Sequence, residues 1–144
     1  MSVDIYTDGS SNVQTRKGGW GFILVQKVED LLFEIEYSGA EINTTNNRME
    51  LTAVIKALEY ANKNITKEKT ITIYSDSQYV VKGITEWIHS WKETAYKGGK
   101  MPNIDLWKKL DTLNIHAGKI KWKWVKAHNG DKYNEIADKL SKCY

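Results

Sequence analysis

Cysteine is nearly absent from this chain: Cys143, beside the C-terminus, is the only one. No internal disulfide can form, so the core alone must hold the fold, and a reducing, cytoplasmic setting is expected. Proline is as scarce. The one proline, Pro102, lies with Gly98-Gly99 in Glu93 to Asn103, the stretch with least apolar periodicity. No apolar run approaches the length of a membrane span, and Met1-Ser2-Val3-Asp4 has no basic segment leading into an apolar one. Neither a membrane partner nor a signal peptide is expected. Repeats, linkers and low-complexity tracts are missing too. What remains is 144 residues, 41% hydrophobic and 27% charged. That composition suits a single globular domain spanning residues 1–144, large enough to bury its own core. No apolar helix is left over for a second subunit, which points to a monomer.

Net charge is only +3, but it is unevenly spread. From Lys82 to Lys126 the chain has ten lysines and four acids, and the remainder has eleven basic and fourteen acidic residues. A basic half beside an acidic one fits a polyanionic ligand and a separate carboxylate-rich site. A solvated lysine face on an ordinary soluble protein would give the same totals.

The period of the apolar residues gives the elements. Val3 to Asp8 reads as a strand. Gly9 to Lys17 follows as a polar loop, and Phe22-Ile23-Leu24-Val25 reads as a strand buried on both faces. Phe33, Ile35 and Tyr37 alternate with Glu34, Glu36 and Ser38, as in a half-buried strand. These three make an antiparallel meander. Met49, Ala53, Val54, Ala57, Leu58 and Ala61 then share one helical stripe that Thr44 or Thr45 can cap. A strand follows over Thr70 to Ser75. Tyr79 to Trp91 reads as a helix broken near Gly83, and Ile104 to Leu113 as another helix. Ile120 to Trp124 is the last strand, and Asp131 to Lys142 a closing helix with Ile136 and Leu140 inward. The strand–helix–strand crossover makes the later strands parallel to the first. The expected fold is α/β: a mixed five-stranded sheet, three strands in an antiparallel meander plus two parallel strands, with helices on both faces.

Two strands end alike, Ile5-Tyr6-Thr7-Asp8 and Ile73-Tyr74-Ser75-Asp76. As parallel neighbours they would put two carboxylates side by side at their C-terminal ends, where open α/β sheets bind ligands. Such carboxylates repel unless a proton, an arginine or a divalent metal holds them together. Glu50 and Asp138 are candidates to complete a four-carboxylate cluster. Oxygen-only ligands select hard ions, chiefly Mg²⁺ or Mn²⁺, and two such ions about 4 Å apart can clamp a phosphodiester displacement. Taken singly, Asp8 and Asp76 fit ordinary turn chemistry, Glu50 a helix N-terminus and Asp138 an exposed helix position.

Taken together, Asp8-Gly9-Ser10, Thr44-Thr45-Asn46-Asn47-Arg48-Met49-Glu50-Leu51, Asp76-Ser77-Gln78-Tyr79, and His128 with Asp138 ten residues on resemble the ribonuclease H type 1 family. Gly83 to Ile88 and Lys121 to Lys126 continue the match over essentially the whole chain. The resemblance implies a ribonuclease H-like fold and metal-dependent hydrolysis of the RNA strand of an RNA–DNA hybrid, leaving 5′-phosphate and 3′-hydroxyl ends. It implies two Mg²⁺ ions (Mn²⁺ as a substitute) held by Asp8, Glu50, Asp76 and Asp138. His128 would move a proton or release product.

For the hybrid, the resemblance points to the segment Gly9, Ser10 and Ser11, and to Thr45, Asn46 and Gln78, near the carboxylates. Asn46 could equally be a helix-terminal cap, and Gln78 an exposed polar residue of a helix. Trp87 to Pro102 is similar to the family's basic protrusion, with Trp87, Lys92, Lys97 and Lys100 as DNA-strand contacts. Glu93, Thr94, Gly98 and Gly99 dilute its charge, and weaker hybrid binding is expected. Many members have Asn-Pro-Gly-Pro-Gly-Gly after the first aspartate. Here the loop reads Gln14-Thr15-Arg16-Lys17-Gly18-Gly19, so a phosphate contact passes to Gln14, with Arg16 and Lys17 as replacements. His89 and His116 match nothing catalytic and read as structural or exposed. A catalytically silent hybrid-binding module is the alternative from another class, and the intact set of four carboxylates argues against it.

Overall fold

The computed structural model describes residues 2–127 and 130–144. Five strands form one sheet in the order β3-β2-β1-β4-β5. They are β1 (Ser2–Ser11), β2 (Gly18–Val28), β3 (Leu31–Glu41), β4 (Thr70–Ser75) and β5 (Lys119–Trp124). β1 runs antiparallel to β2 and parallel to β4, and β4 runs parallel to β5. The register pairs Tyr6 with Tyr74 and Thr7 with Ser75, so the next residues, Asp8 and Asp76, leave two parallel neighbours in step. β1 does not stop at Asp8. Gly9, Ser10 and Ser11 stay paired with Trp20, Gly19 and Gly18, and the polar loop begins only after Ser11.

Helix α1 (Asn46–Asn64) is the crossover between β3 and β4, and the Thr45 hydroxyl caps it by accepting from Arg48 N–H. It packs Leu51, Val54, Leu58 and Ala61 against Val3, Ile5, Phe22, Leu24, Ile71 and Ile73 of the sheet. Trp107 and Leu110 of α5 (Ile104–His116) join the same cluster. Each fully buried aliphatic side chain such as Leu58 contributes about 1.5–3 kcal/mol. On the opposite face, α6 (Lys132–Ser141) sets Ala137 against Tyr6, Ile23 and Val25. The run Phe22 to Val25 is therefore covered on both sides. Among the described residues no helix is long and apolar enough to cross a membrane.

Several boundaries depart from the periodicity. Phe33 and Tyr37 are 49% and 44% exposed, because α1 and α6 sit over β1 and β2 and leave β3 at the edge. In α6 the fully buried residues are Asn134, Ala137 and Ser141, while Ile136 packs against the Tyr6, Ile23 and Val25 cluster and Leu140 lies against Gly21 of β2, both inward as expected. Ile136 and Leu140 are half-buried at the margins of that contact, and Gly21 on β2 leaves the space that Leu140 fills. Gly83 does not break its helix. α2 (Gln78–Lys82), a π-helical turn (Gly83–Trp87) and α3 (Ile88–Glu93) follow one another without interruption. A β-carbon on Gly83 would lie 2.1 Å from the Trp107 ring, so glycine is there to admit the indole. After α3, the short turn α4 (Ala95–Gly99) is left-handed, with φ between 51° and 80° at its five residues. Buried Tyr96 pins it, with the Lys108 ammonium 5.4 Å above its ring.

Candidate active site

Asp8, Glu50 and Asp76 converge at the carboxyl end of β1 and β4. One oxygen from each lies within 4.8 Å of the others. The two strands supply the aspartates through their parallel register. Glu50 comes from the second turn of α1, off the apolar stripe, and it reaches the strand end because α1 crosses β1 almost in contact. A β-carbon at Gly9 would stand 2.2 Å from the Met49 carbonyl carbon, so only glycine permits that approach. Gly9 N–H also donates to Asp8 Oδ1 at 2.9 Å.

Gathering three acids in a largely buried place is electrostatically costly. Burial first, and then the charge of Asp76, push the Asp8 carboxyl up to about 7. Burial, followed by the charges of Asp8 and Asp76, holds Glu50 well above the usual carboxylate range. Glu50 Oε1 is buried and has no hydrogen-bond partner among the described residues. A group of hard oxygen donors, one of them an orphan, sharing a deficit of positive charge, fits a divalent cation of the Mg²⁺ or Mn²⁺ kind. Nothing in the set would favour a soft metal.

Asp138 stands apart from the three. It projects from α6 close enough to Asp8 to add a smaller upward pull on that carboxyl. Its own Oδ2 pairs with Lys142 Nζ at 3.3 Å, one helical turn on. The structure thus gathers a triad, with Asp138 beside it on a lysine leash. His128 lies outside the described residues. His89 and His116 are both exposed.

The polar residues near the carboxylates are organised by hydrogen bonds. Asn46 Oδ1 accepts from Ser11 N–H at 2.6 Å and from Ser11 Oγ–H at 2.9 Å. Asn46 therefore ties β1 to the start of α1 and leaves its own amide nitrogen to donate outward. Thr45, not Asn46, is the cap. Ser10 Oγ donates to Ser141 O at 3.1 Å and so faces α6. Gln78 is exposed at the head of α2, next to the Ser77 cap. Gln14 is exposed in a turn built around Asn12 Oδ1. A cleft of about 660 Å³ opens beside the triad, lined by Ser11, Arg16, Thr45, Asn46, Tyr79 and Asn103 among others. From the loop, Val13 and Arg16 line it, and Gln14 does not.

The segment from Trp87 to Lys100 divides into two parts. Trp91 packs edge-on against Trp107 at 4.9 Å and belongs to the core rim, whereas Trp87 is 41% exposed. Lys92 is committed to Asp111 at 3.0 Å. Lys97 and Lys100 are exposed on and after the left-handed turn.

Sequence reading missed the brace behind the cleft. Arg48 donates both terminal nitrogens to Asp105, at 3.0 and 2.8 Å, and one of them to Asn103 at 3.3 Å. Tyr79 OH accepts from Asn103 Nδ2 at 3.2 Å and from Trp107 Nε1 at 2.9 Å. These bonds join α1, α2 and α5 across more than twenty residues of sequence, and no local pattern announces them. The only signal was a polar side chain placed next to an apolar stripe.

Comparison with known proteins places the chain. A family model described as RNase H matches residues 1–143. The chain is 49% identical over 143 residues to a ribonuclease H of Polaromonas naphthalenivorans (strain CJ2), covering 96% of this chain and 84% of that one. It is 46% identical over 142 residues to a ribonuclease H of Janthinobacterium sp. (strain Marseille), covering 96% and 92%. The fold superposes with a TM-score of 0.86 on the crystal structure of LC9-RNase H1, a type 1 RNase H with the type 2 active-site motif. Identity there is 29%, over 96% of this chain and 69% of that one. The match along the whole chain, the shared sheet and the acidic triad at its expected end agree: this chain belongs to the ribonuclease H family of enzymes, which cut RNA paired with DNA.

Proposed function

We propose that this chain is a type 1 ribonuclease H, a single domain over residues 1–144, that hydrolyses the RNA strand of RNA–DNA hybrids with two divalent ions, Mg²⁺ in the first place and Mn²⁺ as a substitute. The observation that carries this reading is the triad Asp8, Glu50 and Asp76, whose shared negative charge and orphaned Glu50 oxygen call for cations. Asp138 completes the ligand set once its carboxylate leaves Lys142. When bound, the ions would supply positive charge to the reacting phosphate and lower the pKa of a water.

The chain's own residues position the reaction. The triad fixes where the scissile phosphate sits. Asn46, with its amide nitrogen turned outward, and Gln78 flank the triad and offer hydrogen bonds to 2′-hydroxyls of the RNA strand. Thr45 and Arg16 offer donors in the adjoining cleft to the other strand's phosphates, and Gly9 to Ser11 and Gln14 border them. Trp87, Lys97 and Lys100 extend the contact along that strand, while Lys92 is held back by Asp111. A water oxygen attacks phosphorus in line as the bond from phosphorus to the 3′-oxygen breaks. One product ends in 5′-phosphate. The other takes a proton and ends in 3′-hydroxyl, with His128 as the proton-moving group. No side chain becomes bonded to phosphorus, so catalysis is placement and charge. The exposed thiol of Cys143 suits a reducing cytoplasm, and the protein works as a monomer.

The test uses three duplexes of one sequence, RNA–DNA, RNA–RNA and DNA–DNA, each labelled on one strand. They are incubated with Mg²⁺ or EDTA, with the native chain and with Asp8→Asn. Cutting confined to the hybrid's RNA strand, dependent on metal and lost in Asp8→Asn, is the expected result. Hybrid binding without cutting under either Mg²⁺ or Mn²⁺ would leave only a binding module.

A further inference from the structure

Trp124 is out of place by the ordinary rules of a sheet. It ends β5, an edge strand, and is 46% exposed. Little apolar area is gained there, and a large exposed aromatic on an edge is a liability for association. Its indole nitrogen, however, is engaged. Nε1–H donates to the backbone carbonyl of Asp76 at 3.0 Å.

That bond belongs to a set of three around one turn. Trp124 pairs with Ser75 in the parallel ladder, and Val125 N–H donates to Ser75 O at 2.9 Å. Ser77 N–H donates back to Ser75 Oγ at 3.1 Å. The residue before Asp76 is thus held by β5, the residue after it by Ser75, and Asp76 itself by the indole. Two of the three bonds come from the end of β5 and the residue that follows it, Trp124 and Val125. Asp76 lies just past the end of β4, where the ladder no longer constrains the chain, so its backbone needs another anchor.

We propose that Trp124 is a positioning residue: its indole N–H fixes the Asp76 peptide so that the Asp76 carboxylate meets Asp8 and Glu50. This rests on the reading of Asp76 as a metal ligand. The physical expectation is that a ligand displaced by a fraction of an ångström weakens catalysis much more than binding of the long duplex.

The variant is Trp124→Phe, which keeps an aromatic ring and removes the donor. Steady-state cleavage of an RNA–DNA hybrid in Mg²⁺ is compared with thermal unfolding of the same samples. The expected result is a loss of about tenfold in kcat with KM and Tm close to those of the native chain. A kcat equal to the native value overturns the proposal, and so does a loss that merely follows the unfolded fraction. A second arm needs neither cleavage nor the variant: the indole N–H resonance of Trp124 is followed by NMR during Mg²⁺ titration. A saturable shift that is missing in Asp8→Asn supports the coupling, and an unmoved resonance in the native chain overturns it. If the native chain cuts no hybrid, the functional reading fails by itself, and this second arm still decides the role of Trp124.

Discussion

Asp8 shows how burial and like charge turn an ordinary side chain into a poised one. Its carboxyl titrates near 7 instead of 3.8, burial being the larger cause and Asp76 the next. The folded, metal-free protein therefore keeps a proton that the unfolded chain releases. Between those two values the native state binds more protons, so stability must fall as pH rises. The contribution is fully present below about pH 4 and lost as pH passes through about 7. In EDTA, the native chain is expected to unfold at lower urea concentration at pH 8 than at pH 5. Asp8→Asn removes the charge while keeping the shape. At pH 8 it should be more stable than the native chain by on the order of 2 kcal/mol, and the difference should vanish toward pH 4. Urea unfolding of both proteins across that range checks it, and two parallel curves would mean that the triad carries no such penalty. Added Mg²⁺ should restore the native chain at pH 8 and leave Asp8→Asn nearly unchanged.

Between elements, the decisive residues are those that let backbones meet, and two changes on the chain before α5 should act in opposite directions. Gly83 faces the Trp107 ring with no space for a methyl group, so Gly83→Ala should destabilise by about 1–3 kcal/mol through overpacking, despite the better helix propensity of alanine. Ala95 is exposed and sits at φ 51°, in the left-handed region that a side chain disfavours. Ala95→Gly should stabilise by about 0.5–1 kcal/mol, the relief of strain exceeding the added freedom of the unfolded chain. Equilibrium urea midpoints read both, and a stabilised Gly83→Ala would show that the indole has room to retreat. These two positions also mark where sequence reading stops. Long apolar stripes such as that of α1, and the run Phe22 to Val25, announced their elements because periodicity is a local property. Gly83 looked like a helix breaker, because the ring it accommodates lies more than twenty residues away. The left-handed turn had only Gly98-Gly99 to betray it, since the φ of Ala95, Tyr96 and Lys97 is imposed by buried Tyr96.

At the scale of the molecule, the proposed reading gives cutting to the acidic cluster and holding to the lysine-rich segment from Lys82 to Lys126. The triad was legible because two strands ended alike and a specific string placed Glu50 after Thr45-Asn46. Asp138 was legible as an acid but not as the partner of Lys142, and Arg48 was not legible as the clamp on Asp105. Pairings of that kind are fixed by the tertiary structure. The same limit applies to the lysines. All look alike in sequence, yet Lys92 is bonded to Asp111 and lies against α5, while Lys97 and Lys100 are exposed. Only a lysine whose ammonium meets phosphate releases a counterion on binding. Hybrid affinity is best measured on an Asp8→Asn background, where nothing is cut, by fluorescence anisotropy from low to moderate salt. Lys97→Gln and Lys100→Gln should each flatten the dependence of log K on log salt by about one unit. Lys92→Gln should leave that slope unchanged and cost on the order of 1 kcal/mol of stability, because the largely buried Asp111 carboxylate loses its partner. If Lys92→Gln flattens the slope as much as the other two, the Asp111 pair opens on binding. The segment from Lys92 to Lys100 would then grip the duplex with three lysines, and its affinity would not be limited by the contact that holds Lys92 in the free protein.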